Sequence, residues 1–145
     1  MIRVFISILT YDIWFYISHV MLHSKYLYKY HSIHHSKVIP TWRDTYLAHP
    51  LEGPFQGVGM FVPYLIYDYT ALDTIIILAI LNCRGLMRHD ARFNRIVGNH
   101  HLLHHQYQKY NYGEAWIDRL LGTCLTGPIS SLTHRDDNTA WKISE

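Results

Sequence analysis

Charge is what this sequence has least of. Only 17% of its 145 residues are Asp, Glu, Lys or Arg, against roughly a quarter in ordinary soluble domains. From Asp44 to Cys83 there is no Lys or Arg, although the chain holds 13. A net charge of +2 with no run of Lys and Arg argues against a phosphate-tracking surface, and so against a nucleic-acid partner. The 2 cysteines, Cys83 and Cys124, form no CxxC pair, so neither an oxidising compartment nor a thiolate metal site is indicated. No small-residue cleavage site follows the apolar N-terminal stretch, which argues against a signal peptide.

Rings stand where charge is missing: 12 Tyr, 4 Trp and 12 His. Amphipathic aromatic side chains suit a membrane–water boundary. The length predicts one domain, assigned to residues 1–127, with a polar tail over 128–145. Met1–His23 is long enough to reach across about 30 Å of hydrocarbon. Asp12, Tyr16, His19 and His23 fall on one stripe of that helix, which should face protein while Ile, Leu, Val and Phe face lipid. Two further apolar runs, Pro54–Tyr67 and Ala71–Cys83, are joined by Asp68-Tyr69-Thr70. They predict a transmembrane or re-entrant hairpin whose first arm is kinked by Pro63 and its neighbouring glycines. Ser24–Lys37 reads as an interfacial helix ended by Pro40, and Glu114–Leu121 as a short helix ended by Gly122. A hairpin returns the chain to the side it left, and the Lys and Arg flanking the histidines assign that side to the cytoplasm. The expected fold is all-α, a membrane-embedded helical bundle with a cytoplasm-facing histidine site.

The histidines are clustered. His19-x3-His23 is followed by His31-x2-His34-His35, and His101-x2-His104-His105 comes after the hairpin. Residues three or four apart share a helix face, so each cluster is a patch of imidazoles aimed one way. Packing has no use for so many imidazoles, whereas neutral imidazole is a standard ligand for Zn, Cu, Fe and Ni. One tetrahedral zinc needs four protein ligands or fewer. These clusters exceed that and suit two ions that keep open positions, an arrangement for redox chemistry rather than a closed structural site.

HxxxH, HxxHH and, beyond an apolar hairpin, HxxHH resemble the histidine boxes of the fatty acid hydroxylase/sterol desaturase superfamily of membrane di-iron oxygenases. Asp12-Ile-Trp-Phe-Tyr16 resembles its D-x-x-x-Y lead-in. His31-Ser-Ile-His34-His35-Ser36, Pro40-Thr41 and His49-Pro50-Leu51-Glu52 resemble its HKxHHS…PT…HPLE run. Asn111-Tyr112-Gly113 and Trp116-Ile-Asp118-Arg119-Leu-Leu-Gly122-Thr123 resemble its NYG…WDRLFGT ending. The chain departs from the pattern at Val20, where members carry Arg, and at Gly85, where some carry a histidine. The tryptophan of the last motif also comes one place early. Typical members have further transmembrane helices upstream of Asp12, where this sequence has only Met1–Tyr11. The substrate tunnel is therefore expected to be shortened, rebuilt by an oligomer, or completed in a longer protein.

The resemblance implies oxidation of a lipid C–H bond, hydroxylation or desaturation, of a sterol or fatty acyl substrate. Two iron ions would be the cofactor, with zinc as the ion able to replace them, and O2 the co-substrate. An external electron donor such as cytochrome b5 or a reductase would be the partner, and the endoplasmic reticulum membrane the location in a eukaryote. It also makes His89 a ninth ligand beside His19, His23, His31, His34, His35, His101, His104 and His105. Asp12, His49 and His100 are candidates for groups that orient those ligands. For Asp12 the competing role is a polar break in the helix, for His49 the fixing of the turn at Pro50, for His100 simple exposure. His134 reads as solvated, and Asp90, Glu114 and Asp118 as orienting groups or ion-pair partners. The competing functional readings are a zinc-loaded or degenerate membrane protein with a structural role, and a soluble helical metal-binding module.

Overall fold

The computed structural model describes residues 2–127. The assigned tail 128–145 and His134 lie outside the described residues. Within them the chain is helical throughout, with no strand. Helix α1 runs Ile2–Leu22, α2 Tyr28–His31, α3 Glu52–Phe61, α4 Ala71–Arg88, α5 Asn94–Val97, α6 His100–Tyr107 and α7 Ala115–Leu121.

α1 is the axis of the bundle. Its 21 residues are the one helix among those described that is long and apolar enough to cross a membrane. Ile2, Phe5, Ile13, Ile17 and Val20 are exposed on it, whereas Ser7, Asp12, Ser18 and His19 are buried. Polar groups inside and apolar groups outside invert the soluble pattern. α3 lies close against this inner stripe. A Cβ on Gly59 would stand 2.4 Å from the Trp14 Cβ and 2.8 Å from the Thr10 carbonyl, so only glycine permits the approach. The Trp14 indole N–H then donates to the Phe55 carbonyl at 2.7 Å.

The two apolar runs form α3 and α4, joined through residues 66–70 and both packed on α1, though neither is long and apolar enough to cross a membrane. α3 passes at Pro63 into a 3-10 turn, Val62–Leu65, because proline removes a helical N–H and the chain tightens there. α4 starts at a capping box in which the Thr70 hydroxyl accepts from the Asp73 N–H at 3.1 Å and Asp73 accepts from the Thr70 N–H at 3.0 Å. Val4, Met60 and Ile77 join α1, α3 and α4 in a small apolar core. At the other end Arg84 pairs with Asp12 of α1 and lies 3.2 Å from Glu114, which also pairs with Arg88. α4 runs on to Arg88 and so delivers His89 to the end of the bundle where α1 presents His19.

The expected interfacial helix is instead the single turn α2 followed by a 3-10 turn, His34–Ser36. Turn hydrogen bonds from Ser24 N–H to the Met21 carbonyl and from the Leu27 and Tyr28 N–H groups to the Ser24 carbonyl occupy the residues between α1 and α2. α7 ends as expected at Gly122, whose φ of 74° is the left-handed conformation that glycine adopts without strain.

Candidate metal centre

Nine histidines converge at the end of the bundle, in two groups. His19, His23, His31, His35 and His104 form one; His34, His89, His101 and His105 form the other. Within each group one nitrogen per ring lies within 4.8 Å of all the others. Eight of these rings are buried, and His23 is half-buried. Every histidine expected as a ligand is therefore in one group or the other.

Backbone carbonyls set the ring tautomers. The Nδ1–H of His19 donates to the Tyr112 carbonyl at 2.5 Å, that of His104 to Tyr110 at 2.6 Å, that of His89 to Gly85 at 2.8 Å and that of His105 to Lys37 at 3.2 Å. A carbonyl only accepts, so Nδ1 carries the proton and, in a neutral ring, Nε2 carries a bare lone pair. Those lone pairs meet other imidazole nitrogens. His19 Nε2 is 2.9 Å from His31 Nε2, and His104 Nε2 is 3.1 Å from both His23 and His35. His89 Nε2 is 3.1 Å from His34 and 3.0 Å from His101. The Nε2 of His105 is buried with no hydrogen-bond partner.

This donor set fits metal ions. With bonds of about 2.1 Å, adjacent ligand nitrogens lie about 3.0 Å apart around a six-coordinate ion and about 3.4 Å apart around a tetrahedral one. The observed contacts of 2.9–3.1 Å, within groups whose nitrogens all lie within 4.8 Å of one another, are close enough for each group to share an ion. Burial holds His31, His34, His35, His101, His104 and His105 below the usual imidazole range, and neighbouring imidazoles push each of them the same way. Neutral rings are the form that binds a metal.

Two carboxylates support the rings. Glu52, at the start of α3, accepts from His31 Nδ1 at 2.8 Å, and burial pushes its carboxyl up to about 8. Asp118, fully buried on α7, accepts from the Tyr112 N–H at 2.9 Å and the Gly113 N–H at 2.8 Å. It also accepts from the Thr123 hydroxyl at 2.6 Å and His100 Nε2 at 2.9 Å. Burial alone would raise its carboxyl, but these donors hold it low. Asp118 thus fixes the turn whose carbonyls orient His19 and His104.

The three orienting candidates have partners other than the nine rings. Asp12 pairs with Arg84, so its charge is spent on joining α1 to α4. His100 reaches Asp118 and lies outside both groups. His49 accepts the Leu51 N–H at 3.2 Å and packs on the Tyr30 ring, which fixes the turn at Pro50. Glu114 pairs with Arg84 and Arg88, and Asp90 with Arg92. Sequence reasoning left Glu52 unassigned and Asp118 undecided. Glu52 did carry a signal, as the one acidic residue between Asp44 and Asp68.

A cavity of about 450 Å3 opens beside the histidines. His19 of the first group and His34, His89 and His101 of the second line one end, and Phe15, Met60, Leu78 and Leu81 line its apolar walls.

The family model of fatty acid hydroxylases matches residues 4–123. The chain is 30% identical over 120 residues to a Delta(7)-sterol 5(6)-desaturase of Gibberella zeae, covering 77% of this chain and 34% of that protein. It is 32% identical over 143 residues to the corresponding desaturase of Aspergillus fumigatus, covering 90% and 40%. It is 29% identical over 128 residues to methylsterol monooxygenase 1 of Gallus gallus, covering 77% and 42%. It therefore spans well under half the length of these curated relatives. No solved structure matches it. The matched segment holds both histidine groups, the Glu52 carboxylate and the Asp118 turn, and the chain belongs to the fatty acid hydroxylase/sterol desaturase superfamily.

Proposed function

We propose that this chain oxidises a C–H bond of a membrane lipid, of sterol or fatty acyl type, using two iron ions and O2. The observation that carries the reading is the convergence of nine imidazoles, with ring nitrogens about 3 Å apart, four of which line a cavity with apolar walls at Phe15, Met60, Leu78 and Leu81. The relatives named above, sterol desaturases and a methylsterol monooxygenase, support oxidation of a lipid.

His19, His23, His31, His35 and His104 would hold one ion, and His34, His89, His101 and His105 the other. Iron, when bound, supplies the activation of dioxygen. The chain's own groups do the rest. The Tyr110, Tyr112, Gly85 and Lys37 carbonyls keep the Nδ1 protons in place, so ring rotation does not cost binding energy when the ions arrive. Phe15, Met60, Leu78 and Leu81 exclude water from the alkyl part of a substrate. Because His19 of the first group and His34, His89 and His101 of the second line the cavity, a C–H bond lying there would be brought beside both ion positions.

The exposed apolar residues of α1, together with Leu72, Ile75 and Ile80 of α4, support a bilayer location with the histidine end at the cytoplasmic surface. In a eukaryote this would be the endoplasmic reticulum. Electrons would come from an external donor such as cytochrome b5 or a reductase.

The test is metal content and turnover of protein purified in mild detergent. Reconstitution of apo protein with ferrous iron should give about two irons per chain. With a reductant and a sterol it should consume O2 and yield a lipid that has gained one oxygen or lost two hydrogens. Failure to hold iron after reconstitution, or iron without O2 consumption on any lipid, sinks the reading. Zinc retained in preference to iron would favour a structural role.

A further inference from the structure

α3 carries three glycines within ten residues, Gly53, Gly57 and Gly59. A glycine inside a helix weakens it relative to alanine, so each needs a reason. Gly59 has one in the close approach of Trp14 and Thr10. Gly53 and Gly57 do not. A Cβ at either would meet nothing within 4 Å, and neither adopts a positive φ. Both line the cavity beside the histidines. Four residues apart, they lie on one face of α3 and leave that wall of the cavity flat.

An independent feature marks the same cavity as a ligand site. Glu52 is 4% exposed and lines it. One carboxyl oxygen holds His31, while the other, Oε2, is buried with no hydrogen-bond partner. A polar atom left unpaired in the interior is costly unless a ligand completes it. Here it stands beside His31, one residue from Gly53, in a cavity whose wall is apolar at Phe15, Met60, Leu78 and Leu81 and polar at Gln56, Asn82 and Arg84.

We propose that Gly53 and Gly57 are specificity determinants that keep this cavity wide enough for a flat, fused-ring lipid, with a hydroxyl of that lipid hydrogen-bonded to Glu52. The inference rests on the lipid-oxidation reading and names the shape of substrate that the site selects. A linear alkyl chain needs no such width and would pass a narrower wall. Both residues line the cavity and a Cβ at either meets open space; Gly57 is half-buried and Gly53 exposed, so enlarging Gly57 above all subtracts from substrate volume and leaves the helix packing as it is.

Equilibrium binding to the zinc-loaded full chain in detergent tests this without turnover. The probes are a fluorescent polyene sterol and a linear polyene fatty alcohol, which share a hydroxyl and differ in breadth. Gly57→Leu should weaken the sterol about tenfold or more and the linear alcohol by less than about threefold. Gly57→Ala should fall between, and bound zinc should stay at the wild-type level in both. Gly53→Leu, one helical turn away, provides the same comparison if Gly57→Leu does not fold. Equal loss of both probes, no loss of either, or a wild-type preference for the linear alcohol overturns the proposal. If iron-loaded wild type oxidises a linear lipid but binds no sterol, this inference alone fails. If it oxidises no lipid of either shape, the functional reading fails whatever the binding shows.

Discussion

Replacing Asp118 by Asn removes a charge and little volume, and it should loosen the metal centre from a distance. The two carboxylate oxygens divide four donors: Tyr112 N–H and the Thr123 hydroxyl on Oδ1, Gly113 N–H and His100 on Oδ2. An asparagine offers one oxygen and one NH2. Whichever way the amide turns, one backbone N–H of the turn faces another donor in a site that is 0% exposed. Leaving that N–H unpaired costs about 1–3 kcal/mol, and the remaining bonds lose their charge assistance, so a total near 3 kcal/mol follows. That is a large part of the stability of a typical domain. The second effect falls on metal. The same turn supplies the Tyr112 carbonyl to His19 and the Tyr110 carbonyl to His104, both of the first group. Loss of such support should cost about 10- to 100-fold in affinity for the ion held there. Thermal unfolding followed by circular dichroism and chelator competition on the loaded protein would measure both. An Asp118→Asn variant within about 0.5 kcal/mol of wild type, with unaltered affinity for both ions, would falsify the role given to this turn.

Gly59→Ala should destabilise the chain by about 1–3 kcal/mol through overpacking, because its Cβ meets a backbone carbonyl and the root of the Trp14 side chain; an unchanged melting temperature would contradict the close α1–α3 approach. Glu52→Gln keeps an acceptor for His31 and should hold metal nearly as well as wild type, whereas Glu52→Leu should lose about 10- to 100-fold; equal affinities in chelator competition would remove Glu52 from the site. Burial lowers the basicity of His31, His34, His35, His101, His104 and His105 in the folded chain, so the unfolded chain binds more protons once the pH falls below about 6.5. Metal-free protein should then be stable above that pH and lose up to about 1.4 kcal/mol per pH unit for each such histidine on acidification, and a melting temperature that stays flat from pH 7.5 to 5.5 would refute it.

The helical fold and the convergence of the clustered histidines were legible for physical reasons, whereas His89 was reached only through the family resemblance. Apolar runs without Lys or Arg announce helices by length alone, and Thr70, Pro63 and Gly122 punctuate them through backbone chemistry that acts locally. The histidines repeat at spacings that place rings together before any tertiary contact forms. What stayed hidden depends on contacts between distant segments. Asp12 resembled a partner for a nearby histidine, yet Arg84, in the second arm of the hairpin, is charged and takes it. Nothing local distinguishes Asp118 from Asp90, although one is enclosed by a turn and the other grips Arg92 near the surface. The carbonyls that set the tautomers have no sequence signature at all, because every residue carries one.

The division of the nine histidines gives the HxxHH pattern a physical meaning. At helical spacing, residues four apart differ by about 40° around the axis and neighbours by about 100°. His31 and His35 accordingly join the first group together, while His34 turns to the second. The other box is its mirror: His101 and His105 join the second group and His104 turns to the first. Each box thus gives two rings to one group and a single ring to the other, and on the proposed reading would clamp one ion with the pair and reach the second with the single ring. It follows that partners in one group matter to each other more than neighbours in sequence do. The double variant His34→Ala/His105→Ala takes both rings from the second group, so it should keep one ion at wild-type affinity and lose the other. The double variant His34→Ala/His35→Ala takes one ring from each group, so it should hold neither ion at wild-type affinity. Chelator competition resolves the two cases as one strong site against none. If both variants release their ions alike, the nine histidines act as a single undivided cluster, and the two-ion assignment fails.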